Sequence, residues 1–109
     1  MEFIKAVDTS ELPAGKMVKV VVSSKEVLIA NVAGTYFAID NRCNHAGGSL
    51  ADGKLNGSTV TCPKHGAQHD VKTGKAIGDA KIAFLKVKVH DEVSYQVKVE
   101  GTTILVGIP

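Results

Sequence analysis

The chain has 109 residues, enough for one domain with a modest core, and its 44% hydrophobic and 22% charged residues are typical of a globular protein. Thirteen basic and eleven acidic residues give a net charge of +2, which is too balanced for a typical nucleic-acid-binding protein. No apolar run reaches the roughly 20 residues that span a bilayer, and the charged first ten residues do not resemble a signal peptide. We therefore expect a soluble, cytoplasmic protein.

The first forty residues alternate apolar and polar side chains, and this period of two predicts β-strands. The predicted strands are residues 3–7, 16–22, 26–32 and 35–39. The breakers Pro13 and Gly15 separate the first two strands. Ser23 and Ser24 make a tight connection between the second and the third, which predicts a hairpin.

The composition changes at Asp40. Residues 40–56 and 62–70 are rich in polar residues or glycine and have no apolar period, so both are predicted to be irregular loops. Further strands are predicted at residues 59–61, 84–90, 93–99 and 102–106, and no helical pattern runs for three turns. The sequence therefore predicts one all-β domain over residues 1–109, a sandwich or small barrel interrupted by two loops. Loops of this length inside a compact domain are usually functional.

The two loops carry paired metal-ligating residues. Cys43 and His45 lie in the first, Cys62 and His65 lie in the second, and 16 residues separate the pairs. Each pair offers one soft sulfur and one borderline nitrogen. Three interpretations are open at this point: a Cys43–Cys62 disulfide, a zinc site with two Cys and two His ligands, or a [2Fe–2S] cluster with Cys on one iron and His on the other.

The segments Cys43-Asn44-His45 and Cys62-Pro63-Lys64-His65-Gly66 resemble the signature of the Rieske family, and the likeness extends over nearly the whole chain. The resemblance implies that Cys43, His45, Cys62 and His65 bind a Rieske [2Fe–2S] cluster. It also implies an antiparallel β-sandwich base with a smaller cluster-binding lobe, at approximately residues 41–80, formed by the two loops. A protein of this kind is a one-electron carrier and not an enzyme.

The resemblance further implies a monomeric ferredoxin that passes single electrons from a reductase to a terminal oxygenase or a similar redox partner. Two other classes stay open. One is a small subunit with the Rieske fold, as in some nitrite reductases, and the other is a zinc-stabilised binding module. Because subunits of the first class often lack the ligands, the presence of all four favours the electron carrier.

Four positions depart from high-potential members of the family. Gly48 and Lys64 stand where those members have a second cysteine pair, and Ala67 and His69 stand where they have hydroxyl donors to sulfur. Fewer hydrogen bonds to sulfur destabilise the reduced state, so we expect a potential near the lower end of the roughly −150 to +300 mV range of Rieske centres. His69 is expected to pack as a neutral ring beneath the loop, with titration near neutral pH as the alternative. Arg42 and Lys64 either steer an acidic partner or are merely solvated charges.

Overall fold

In the computed structural model, the backbone is described for residues 1–42, 48–64, 66–78, 80–82, 85–87 and 89–109, and side chains are described for the same ranges except 80–82 and 85–87. Over these residues the chain forms thirteen strands and two 3-10 helices. The strands are β1 Glu2–Asp8, β2 Met17–Val22, β3 Lys25–Val32, β4 Thr35–Asp40, β5 Lys54–Asn56, β6 Thr59–Thr61, β7 Gln68–Asp70, β8 Ala76–Ile77, β9 Ala80–Ile82, β10 Leu85–Val87, β11 Ser94–Tyr95, β12 Val97–Glu100 and β13 Thr103–Ile108. The 3-10 helices are Thr9–Glu11 and Leu50–Asp52, and no helix in the described ranges could cross a membrane.

Two antiparallel sheets, which we call the base, are built from the two ends of the chain. One has the strand order β1-β13-β12 and the other β11-β4-β3-β2. A core of buried aliphatic side chains joins them, because alternate residues of each strand face inward. Its members are Val7, Leu12, Val22, Val27, Ile29, Ala38, Ile104, Val106 and Ile108.

A third antiparallel sheet, which we call the lobe, has the strand order β5-β6-β7-β8. A second core connects the lobe to the base, and its members are Leu28, Ala30, Ile39, Leu50, Val60, Cys62, Ala67, Val71 and Val89. Strand β3 therefore contributes to both cores. Val27 and Ile29 point to one side and Leu28 and Ala30 to the other, which explains why this strand reads as a continuous apolar run.

The structure confirms the all-β fold class, a base of antiparallel sheets with a smaller lobe. The hairpin through Ser23 and Ser24 is also confirmed, since β2 ends at the residue before and β3 begins at the residue after. Both serines have positive φ, at 48° and 67°, which matches the right-handed twist of a two-residue hairpin.

Several strand predictions were wrong in detail. The two stretches predicted as irregular contain β5 and β7, and β8 follows them where no strand was predicted. These strands have two or three residues, too few for a period of two to show. The predicted strand 93–99 is two strands in different sheets. Within the predicted strand 84–90, Leu85–Val87 form a strand, whereas Val89 and His90 do not. Phe84 and Lys88 of that prediction lie outside the described residues.

Candidate metal centre

The ends of the first motif loop are held together at its neck. Arg42 and Ser49 form an isolated antiparallel bridge, so the chain leaves and re-enters at one place. Asn41 fastens this neck from a fully buried position: its side-chain amide donates to Ser49 Oγ at 2.8 Å, and its side-chain oxygen accepts from the Ala51 amide at 2.9 Å. The Asn41 carbonyl also accepts from the Leu50 amide at 2.8 Å. The Asn41 side chain therefore ties the start of the first loop to the residues that follow its end.

The second motif loop is the tip of the β6–β7 hairpin. Thr61 pairs with Gln68 at the last rung of the ladder, and beyond it the Cys62 amide donates to the Ala67 carbonyl at 2.7 Å. Gly66 has a φ of 70°, the left-handed conformation that a tight hairpin tip requires. The hydrogen bond between Cys62 and Ala67 thus closes this second loop at its two ends.

The two loops touch each other at Gly48. A Cβ atom built on Gly48 would lie 3.4 Å from the Cys62 Sγ and 3.4 Å from Cδ of Lys64. Gly48 itself is buried, so its backbone packs directly against the second loop. Gly48 and Lys64 are also the positions at which the resemblance places a second cysteine pair in high-potential proteins, and the structure brings these two residues into contact.

Of the four predicted ligands, only Cys62 lies among the described residues; Cys43, His45 and His65 lie outside them. The Cys62 side chain is 1% exposed and packs with Leu50, Val60 and Ala67. A soft thiolate in such an apolar, water-poor setting suits iron or zinc. The described surroundings therefore fit a metal centre between the two loops, with two sulfurs and two imidazoles available in the sequence.

A short segment that we call the strap, residues 90–93, fastens the lobe to the base. On the lobe side the Glu92 amide donates to the Gly74 carbonyl at 2.7 Å, and the Ala76 amide donates to Asp91 Oδ1 at 2.8 Å. On the base side the Asp40 amide donates to the Val93 carbonyl at 2.9 Å. The strap passes so close to Gly74 that a Cβ there would lie 2.2 Å from the Glu92 carbonyl oxygen. Only glycine, with its φ of 81°, fits at this crossing.

His69 lies under the second loop, as expected, with 0% of its surface exposed. Its Nε2 is 2.9 Å from the backbone oxygen of His90 and 3.9 Å from Oε2 of Glu92. Glu92 lies between two predicted strands, and sequence reasoning missed that this residue is buried, with 6% of it exposed. No local signal marks it, because its burial depends on the strap crossing the lobe.

The junction between base and lobe holds a short hydrogen bond. The Tyr95 hydroxyl donates to Asp40 Oδ1 at 2.5 Å, one residue before the chain enters the neck of the first loop. Burial of the Tyr95 ring and this hydrogen bond to Asp40 together hold the pKa of the phenol well above its usual range. The Tyr95 phenol therefore stays neutral at ordinary pH.

The surface around the loops is basic and partly apolar. Arg42, Pro63 and Lys64 are exposed. Ile77 on the edge strand β8 is 43% exposed, and it pairs with Gln68, which begins the strand after the second loop. Exposed apolar groups beside positive charge are typical of surfaces that bind another protein.

A family model of the Rieske [2Fe–2S] domain matches residues 2–87. The ferredoxin component of the naphthalene 1,2-dioxygenase system of Pseudomonas aeruginosa is 33% identical over 107 residues, which cover 98% of this chain and 96% of that protein. The ferredoxin subunit of 3-phenylpropionate/cinnamic acid dioxygenase of Shigella flexneri is 34% identical over 111 residues, which cover 100% of this chain and 96% of the relative.

A solved structure has the same fold. The ferredoxin of carbazole 1,9a-dioxygenase from Nocardioides aromaticivorans IC177 matches with a TM-score of 0.83 and 29% sequence identity, and the match covers 97% of each chain. Base and lobe are therefore both represented in a ferredoxin of an oxygenase system.

Proposed function

Because this chain belongs to the family of Rieske [2Fe–2S] domains, we propose that it is the ferredoxin of a multicomponent oxygenase and that it delivers single electrons to the terminal oxygenase. It is an electron carrier and not an enzyme, as its relatives are ferredoxin components or subunits of dioxygenase systems. The observation that carries the proposal is the contact between the two motif loops, where Gly48 meets the Cys62 thiol.

We propose that Cys43 and Cys62 bind one iron of the cluster and that His45 and His65 bind the other. When bound, the cluster accepts and releases one electron without breaking any bond in a substrate. The closed neck at Asn41 and the hairpin behind Cys62 support this assignment, because they hold the described ends of the two motif loops near one another.

The residues around the centre have separate tasks in this proposal. The burial of Cys62 keeps water from its sulfur and so protects a metal–thiolate bond. Gly48 packs closely against the second loop, since even a Cβ there would lie in contact with Cys62 Sγ and the Lys64 side chain. Asn41 holds the first loop in register with the base, and the strap holds the lobe against it. The described residues thus fix the frame from which the two motif loops extend, and a fixed frame limits rearrangement when the charge changes.

The docking face is proposed to be the exposed surface at the loops. Arg42 and Lys64 favour an acidic partner, and Ile77 on β8 adds exposed apolar area to the lobe. With Arg42→Gln and Lys64→Gln, the rate of electron transfer at low salt should fall several-fold and lose its dependence on ionic strength. The matched control is Lys19→Gln, which removes an exposed charge from strand β2 of the base. If the rates of the Arg42→Gln, Lys64→Gln and Lys19→Gln proteins depended equally on ionic strength, the charges of Arg42 and Lys64 would be merely solvated.

The same proposal extends to how the protein works in its system. A reductase supplies the electron, and the protein acts as a monomer in the cytoplasm. The chain forms one Rieske domain over residues 1–109, with a cluster-binding lobe at approximately residues 41–80. The extent of the match supports the single-domain organisation, since 96% of each relative is covered.

The test uses the purified holoprotein. We expect two irons and two acid-labile sulfides per chain, and oxidation of the reduced protein on mixing with a terminal dioxygenase component. His65→Ala should lose the iron, whereas the control His90→Ala, which removes an exposed imidazole outside the proposed ligand set, should retain it. A colourless protein that contains zinc, or a His65→Ala protein with a normal iron content, would contradict the proposal.

A further inference from the structure

A buried acid–base pair lies behind the second loop, formed by His69 and Glu92. The His69 ring is completely buried in β7, and the Glu92 side chain is 3% exposed. His69 Nε2 lies 2.9 Å from the His90 carbonyl oxygen, which can only accept a hydrogen bond, so Nε2 carries a hydrogen. The same nitrogen is 3.9 Å from Oε2 of Glu92.

The other ring nitrogen, Nδ1, has no hydrogen-bond partner and is the one buried side-chain nitrogen or oxygen in that condition across the described residues. Since Nε2 already holds a hydrogen, Nδ1 carries none in the neutral ring, and any further proton must bind there. Imidazole is the side chain whose charge ordinarily changes between pH 5 and 8. The ring therefore has a defined atom at which to accept positive charge.

Few other charges face the ring from the described elements that surround it. The neighbouring strands β6 and β8 contain no titratable side chain. On β7 itself, Asp70 is turned to the Lys72 amide, and on the strap, Asp91 accepts from the Ala76 amide. The His90 ring is exposed, so Glu92 is the nearest described charged group.

We propose that His69 takes up a proton at Nδ1 when the protein accepts an electron, with Glu92 as the counter-ion. One electron from the donor and one proton from solvent enter together, so the charge of the lobe is unchanged and no covalent bond other than N–H is formed. In the oxidised protein a proton at Nδ1 lacks an acceptor and is unfavourable; the negative charge that arrives with the electron makes it favourable. This inference rests on the proposed function, because the electron needs the cluster.

The experiment measures proton uptake on reduction of the holoprotein, with an indicator dye in weak buffer from pH 5 to 8, together with the midpoint potential over the same range. His69→Gln removes the titrating nitrogen while its side-chain amide can still donate to the His90 carbonyl. We expect it to lose the uptake and the fall of potential with rising pH, which for full coupling is about 59 mV for each tenfold change in proton activity. Glu92→Gln should shift half-maximal uptake to lower pH. The control His90→Gln should behave like the parent protein.

Equal uptake in the parent protein and in a His69→Gln protein with an intact cluster spectrum would overturn the inference but leave the proposed function in place. If His69→Gln does not assemble a cluster, Glu92→Gln decides the question, and an unchanged uptake curve in that protein overturns the inference. A parent protein without iron would overturn both proposals.

Discussion

The base and the lobe are both antiparallel β-structures, but they are stabilised in different ways. The central strands of the base have six to eight residues and bury rows of Val, Ile and Leu. The strands of the lobe have two or three residues, and hydrogen bonds from single side chains and from the strap complete its structure. The base is therefore specified by a repeating apolar pattern, whereas the lobe depends on individual residues. Such residues tolerate substitution poorly and are suited to shaping a site.

The largest difference between base and lobe is expected for two adjacent core residues on β3. Ile29 faces the core between the base sheets, and Leu28 faces the core beneath the lobe; both are completely buried. Truncating either to Ala should lower the free energy of unfolding by about 2–5 kcal/mol, because each leaves a cavity in a packed core. We expect only Leu28→Ala to change the absorption spectrum and midpoint potential of the holoprotein, since its cavity adjoins Cys62 and Ala67.

Denaturant unfolding measured beside the visible spectrum checks this prediction, and each variant is the control for the other. If both variants changed the spectrum equally, base and lobe would act as one packing unit, and the division between them would have to be abandoned.

What the sequence predicted follows the same division. The first strands of the base were predicted well because each is a run of mostly apolar residues bounded by turn signals, as in Met17–Val22 and Thr35–Asp40. Strand β7 was missed because Gln68, His69 and Asp70 are polar, and its pairing with β6 and β8 comes from neighbours in space.

For the candidate site, the sequence identified the donor set by type and spacing, and family membership supports the cofactor. The roles of Asn41, Gly74 and Glu92 could not be predicted. Each depends on a partner that only the fold brings close: Glu92 meets Gly74 across 18 positions of the chain, and no local pattern encodes that contact. The assignment of Cys43, His45 and His65 as ligands stays a prediction.

A smaller effect is expected at the crossing of the strap. Gly74→Ala introduces a Cβ that would lie 2.2 Å from the Glu92 carbonyl oxygen, at a φ of 81°, so we expect a loss of more than about 2 kcal/mol in the free energy of unfolding. Gly101→Ala is the matched control in the base: its φ is 61° and its Cβ would meet no atom within 4 Å. That variant should lose only roughly 1–2 kcal/mol. Equal losses would mean that the strap moves aside without resistance.

Two buried asparagines offer a finer comparison. In the base, Asn31 donates to the Leu12 carbonyl at 2.9 Å and accepts from the Gly34 amide at 2.8 Å; in the lobe, Asn41 makes two bonds of the same kind at the loop neck. Either change to Ala should cost about 1–3 kcal/mol, because a buried partner loses its hydrogen bond. We expect only Asn41→Ala to lose iron faster to a chelator, as measured by bleaching of the visible spectrum. Similar bleaching rates would show that the neck does not restrain the first loop.

The smallest predicted effect lies at the junction, where Tyr95 of the base bonds to Asp40 before the chain enters the lobe. Burial and the hydrogen bond to Asp40 raise the pKa of Tyr95, whereas in the unfolded chain the phenol ionises near its ordinary value of about 10. The contribution of this proton to stability is therefore complete below that pH and is lost as pH rises above it, because only the unfolded chain then releases the proton readily. Tyr95→Phe should remove this alkaline decline in the free energy of unfolding, and Tyr36→Phe, which removes the other tyrosine, should keep it. If Tyr95→Phe declined with pH as steeply as the parent protein, ionisation of Tyr95 would not be the source of the decline.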